Sequence, residues 1–115
     1  MSATPQQSQN QMPGAEVVRL GDLVNYQDGA VVSRTLIKRQ TGTVTAFAFD
    51  TGQGLSEHTA AFDALVQVIE GSAEITVAAR PFRIEGGQAI LLPANQPHGL
   101  TAITRFKMLL TMVRS

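Results

Sequence analysis

The chain has no cysteine. Disulfide staples, zinc–thiolate sites and thiol nucleophiles are therefore excluded. It also has no net charge, because 9 Lys and Arg balance 9 Asp and Glu over 115 residues. No basic stripe is visible, so the electrostatic footprint of a nucleic-acid partner is missing. No apolar run approaches the roughly 20 residues needed to span a bilayer. No charged start leads into an apolar export segment, so no membrane partner is expected and the cytoplasm is the expected location. Phosphate loops, dinucleotide fingerprints, solenoid-length repeats and the nucleophile elbow of serine hydrolases are absent as well.

What remains is an ordinary globular composition, 43% apolar and 16% charged. Its length suits one domain with a real core. Residues 1–14, "MSATPQQSQNQMPG", carry almost no large apolar side chains and read as a flexible tail. Residues 15–115 then form a single domain. In "EVVRLGDLVNYQDG" the apolar spacing is mixed. It predicts a short strand, then a helical turn at Leu20 to Val24, closed by Asp28 and Gly29.

From there the period is two. Strand-like runs recur about every eight to twelve residues between Gly or Pro turns, the rhythm of an all-β sandwich or barrel. "TVTAFAFD" puts Val44, Ala46 and Ala48 on one face, and Thr43, Thr45, Phe47 and Phe49 on the other. In the last strand Phe106, Met108, Leu110 and Met112 share a face. "AILL" and "MLLTMV" are apolar on both faces. One face fills the barrel, and the other packs on a second layer or a second subunit, so a homodimer is expected.

The chain has only two histidines. His58 lies six residues after Gly52 and thirteen before Gly71; His98 lies five after Pro93, itself six after Gly87. Twice a glycine turn leads into an element that delivers a histidine. In an antiparallel double sheet two such elements can meet face to face. Two neutral imidazoles in an apolar barrel are half of a transition-metal site.

This pattern resembles the cupins, small jelly-roll barrels with two motifs. The first motif runs Gly, five residues, His, one, His, three or four, Glu, six, Gly. The second runs Gly, five, Pro, one, Gly, two, His, three, Asn. Gly52, His58 and Gly71 stand in register with the first, and Gly87, Pro93 and His98 with the second. The resemblance covers roughly residues 30–113 and implies a double-stranded β-helix, or jelly-roll barrel. The departures are Ala60 for the second histidine, Ala64 for the glutamate, Asn95 for a glycine and Ala102 for the asparagine.

By this resemblance His58 and His98 are the expected ligands of a divalent transition metal (Zn, Fe, Mn or Ni). It is held weakly or lost, because two of four usual ligands are alanine. Asp63 or Gln67 joins them only if a bulge shifts the register, since strand parity puts Gln67 on the opposite face. Ala60, Phe62, Ala64, Phe106 and Met108 are expected to line the pocket. Losing a histidine and a glutamate makes that pocket roomier and greasier, suited to an apolar or aromatic small molecule. Three functions stay open: a metal-dependent oxygenase or isomerase, a non-catalytic binding or sensing barrel, and an interaction protein with a vestigial pocket. Whether the chain is an enzyme is undecided at this level.

Overall fold

Short apolar runs bounded by glycine turns can bury a face only against one another, and they do so as two sheets. The computed structural model describes residues 11–114 and the backbone of Gln6–Ser8. Its strands are β1 (Gln6–Ser8), β2 (Val31–Arg39), β3 (Gly42–Phe49), β4 (Gly54–His58) and β5 (Asp63–Glu70). They continue as β6 (Ser72–Val77), β7 (Arg80–Glu85), β8 (Ala89–Leu92), β9 (His98–Ala102) and β10 (Phe106–Val113). One sheet runs β1-β2-β3-β10-β5-β8 and the other β4-β9-β6-β7. All pairings are antiparallel except β1 with β2. The expected all-β jelly-roll barrel is what the chain adopts. Among the described residues no helix is long and apolar enough to cross a membrane.

The core lies between the sheets. Strand β5 alternates strictly, with Ala64, Val66 and Val68 buried and Asp63, Leu65 and Gln67 exposed. Strands β3 and β10 of the same sheet contribute Phe49, Phe106 and Met108, and β6 of the facing sheet contributes Ile75, all fully buried. Each such side chain contributes roughly 1.5–3 kcal/mol by leaving water. Phe49 and Phe106 stack with ring centres 4.5 Å apart and planes 7° from parallel. The turn between β5 and β6 needs its glycine. Gly71 has φ +79°, and a Cβ there would sit 2.0 Å from the Arg105 carbonyl oxygen.

The second face of β2 and β3 is covered by the chain itself. Leu23 and Val24 pack on Leu36, Ala46 and Ala48, with Met12, Val18 and Tyr26 at the margin. Polar contacts hold this cover in place. Lys107 Nζ donates to the Gly21 carbonyl at 2.6 Å, Arg34 to the Leu23 carbonyl at 3.1 Å, and the Tyr26 hydroxyl to Glu70 at 2.7 Å. Arg105 bridges Asp50, at 2.8 Å, and Asp28.

The expected flexible tail over residues 1–14 falls partly outside the described residues, at 1–5 and 9–10. Within its described part, the backbone of Gln6–Ser8 pairs with Val32–Arg34, and the Met12 N–H donates to the Leu36 carbonyl. The free edge of β2 supplies the hydrogen-bond partners that a polar segment otherwise finds in water. The expected strand at Val17 and Val18 does not form, and Val17 is 99% exposed. The helical turn exists as a short 3-10 turn over Leu20–Asp22.

Candidate functional site

Strand β4 ends at His58 and β9 begins at His98, and these two residues are direct cross-strand partners. A register shift between Leu55 and His58 precedes the pairing. Gly99 permits the close approach. A Cβ there would lie 3.2 Å from the Glu57 backbone and the Leu55 carbonyl oxygen, so that β4 would have to give by a few tenths of an ångström. The imidazole centres are 4.4 Å apart, edge to face at 70°. His98 is buried, at 8% exposure, while His58 stands at the exposed mouth.

Each ring is oriented by its own chain. His58 Nδ1 lies 2.8 Å from the Ser56 carbonyl oxygen, and His98 Nδ1 lies 3.2 Å from that of Gln96. A carbonyl oxygen can only accept, so Nδ1 carries the proton in both rings. Nε2 of each neutral ring is then a lone pair. Burial holds His98 below the ordinary histidine range; the Gln96 carbonyl opposes this, and the nearby His58 adds to it.

The loop before His98 is pinned on both sides. The Asn95 N–H donates to the Ala60 carbonyl at 2.7 Å, and the Ala78 N–H to the Pro97 carbonyl at 2.8 Å. Asn95 takes the left-handed conformation, φ 66°, at the position where the motif has glycine.

Behind the two rings is a cavity of about 50 Å³. Its walls include Ala60, Ala64, Val66, Ile75, Met108 and Met112. An apolar cavity of about 150 Å³ takes benzene. This one has a third of that volume, so it is greasy as expected but holds only roughly two to four heavy atoms. An aromatic ligand does not fit without repacking.

Of the expected pocket residues, Ala60, Ala64 and Met108 line this cavity together with both histidines. Phe106 does not, because its ring is spent in the stack on Phe49. Phe62 also lies elsewhere, half-buried beneath the Arg114 guanidinium at 5.2 Å. Gln67 is exposed on the outer face opposite Ala89 and Leu109, because the bulge that would turn it inward is not in β5 where it pairs with β8. It cannot reach the histidines. Asp63 is exposed and accepts the Ala94 N–H at 2.8 Å, so it fastens the loop from outside. Sequence reasoning missed Leu55, Leu100 and Gly99 as parts of the site. The glycine directly after His98 was the available signal.

The donor set does not suit a resident transition metal. Among the described residues no three His, Cys, Asp or Glu side chains converge. Protein-enclosed sites use three or four such ligands. Here the completing positions are Ala60 and Ala64, whose methyl groups face apolar walls. Two imidazoles would leave the remainder of any coordination sphere to water.

The family model of the AraC-like ligand binding domain matches residues 41–113. A conserved protein of unknown function from Streptococcus pyogenes is 38% identical, with TM-score 0.88 over 92% of this chain and 93% of that one. A cupin 2 conserved barrel domain protein from Leptotrichia buccalis is 37% identical, with TM-score 0.79 over 82% of this chain and 46% of that one. A cupin superfamily protein from Desulfitobacterium hafniense shares the fold at 24% identity, with TM-score 0.86 over 92% and 97%. No curated protein compared with the chain matches it.

Proposed function

Because the chain belongs to the AraC-like ligand binding domain family and has the cupin fold, we propose that it is a non-catalytic small-molecule-binding barrel. His58 and His98 hold the polar head of the ligand, and the cavity takes its apolar tail. One observation carries this reading: two imidazoles 4.4 Å apart, each with its Nδ1 proton already committed, stand over apolar walls with no third metal-ligating side chain.

Magnitudes set the assay. A ligand of about five heavy atoms is bounded near −7.5 kcal/mol, at roughly −1.5 per atom. That corresponds to low micromolar Kd at best, and millimolar is the practical range. A thermal-shift panel of two- to five-atom amides, alcohols, amines and acids, run in chelator, should give upward shifts that His58→Ala abolishes. Stoichiometric metal in protein purified without chelator, lost on His58→Ala, would overturn the reading in favour of a metal centre.

The homodimer is part of the same proposal. Leu65 and Leu91 are cross-strand neighbours on the outer face, 36% and 55% exposed, and are the side chains a second copy would cover. A monomer by sedimentation at micromolar concentration would remove it.

A further inference from the structure

We propose that the His58–His98 pair selects a ligand whose head is an –NH2 group, in the first place a small primary carboxamide. This rests on the ligand-binding reading above and names its ligand class.

The argument is one of donor and acceptor count. Both Nδ1 protons are taken by the Ser56 and Gln96 carbonyls. Each ring therefore keeps a bare Nε2 acceptor, and the rings are only 4.4 Å apart between centres. Two adjacent acceptors repel each other unless donors come between them. A carboxylate, ketone or ether brings further lone pairs and nothing to donate. A hydroxyl brings one proton and serves one ring. The nitrogen of a primary amide brings two N–H groups, one for each ring. A protonated amine has donors to spare, but its charge would sit at a cavity lined by no carboxylate, and an uncompensated charge is costly there. Water, with two O–H donors, is the competitor that an amide replaces with a similar bonding pattern.

Size narrows the class further. The amide head sits at the mouth, where His58 is exposed and the amide oxygen stays in water. The cavity of about 50 Å³ behind it takes a tail of two or three carbons. Propionamide has this shape, and propionate is its isostere with the donors removed.

The test titrates propionamide, propanol and propionate separately into the full chain in chelator at about pH 8, where ordinary histidines are neutral. Long-range proton–nitrogen correlation NMR of the two imidazoles reports both tautomer and binding. Both rings should show the Nδ1–H tautomer, and propionamide should move both Nε2 resonances. It should bind at least about tenfold tighter than propionate, which makes neither of the two donor hydrogen bonds, with propanol, which makes one, between them. His58→Ala, which changes an exposed side chain, should keep the methyl spectrum of the fold and abolish most of that preference. An Nε2–H tautomer in either ring, or propionate binding as tightly as propionamide, overturns the proposal. Propanol or propionate binding without amide preference overturns the ligand class and leaves the binding barrel standing. Silence from all three overturns the ligand class, and the broader thermal-shift panel then decides the barrel's function separately.

Discussion

Strand β10 runs from one end of the barrel to the other, and its two ends are built to opposite rules. At Phe106 it meets Phe49 in a stack with ring centres 4.5 Å apart, and both side chains are fully buried. At Met112 it pairs with Ala64 beside a cavity of about 50 Å³. The turns at the two ends of β6 differ in the same sense. The filled end has Gly71 in the left-handed region; the cavity end has Ala78 and Ala79 there, at φ 50° and 67°. The filled end uses the residue that adopts its backbone without strain. The cavity end keeps small side chains, empty volume and a strained turn. That contrast supports the proposed binding site at the cavity end.

The contrast can be broken most strongly at the filled end. Phe49→Ala should destabilise the chain by about 3–5 kcal/mol in urea unfolding, because the Phe106 ring loses its partner and a void is left. The turn at the cavity end should respond in the opposite direction. Ala78→Asn with Ala79→Gly supplies the pair that a tight hairpin prefers, and should stabilise by about 1–2 kcal/mol. The Ala78 N–H holds the Pro97 carbonyl next to His98, so this variant also reports whether strain there tunes the site. Ala64→Val fills the cavity directly. Stability should change by less than about 1 kcal/mol, while thermal shifts from small ligands disappear.

The smallest effect is with pH. The folded pKa of His98 is lowered from 6.5, so the unfolded chain takes up its proton more readily. The stability this contributes is fully present above 6.5 and is lost as pH falls through the lower folded value. Melting temperature should therefore drop from about pH 8 to about pH 5, and His98→Gln should flatten the drop. Asp50, held down to about 2 by the Gly29 N–H and by Arg105, loses its contribution only in the more acid window below 3.8.

Much of this was legible in the sequence. The turn glycines and the two histidines gave the barrel and the pairing of the rings, because a turn glycine and a strand period are local properties. The faces of β3 and β10 followed from the period of two, as did the outward position of Gln67. Illegible parts depended on distant chain. The mixed apolar spacing around Leu23 and Val24 makes sense only once Ala46 and Ala48 lie beneath it. Strand β4 was hidden because its register shift breaks parity just before His58. Phe62 and Phe106 looked like pocket residues by position. One is drawn off by Arg114 and the other by Phe49.

The docked cover over β2 and β3 also decides where this molecule can be cut. The family match begins at residue 41 and so omits both the strand that carries Val31 and Leu36 and the lid of Leu23 and Val24. A fragment trimmed to that match would bare Ala46 and Ala48 and the β3 edge to solvent, and is expected to aggregate on expression. The smallest expressible unit of this barrel is therefore longer than its recognisable signature.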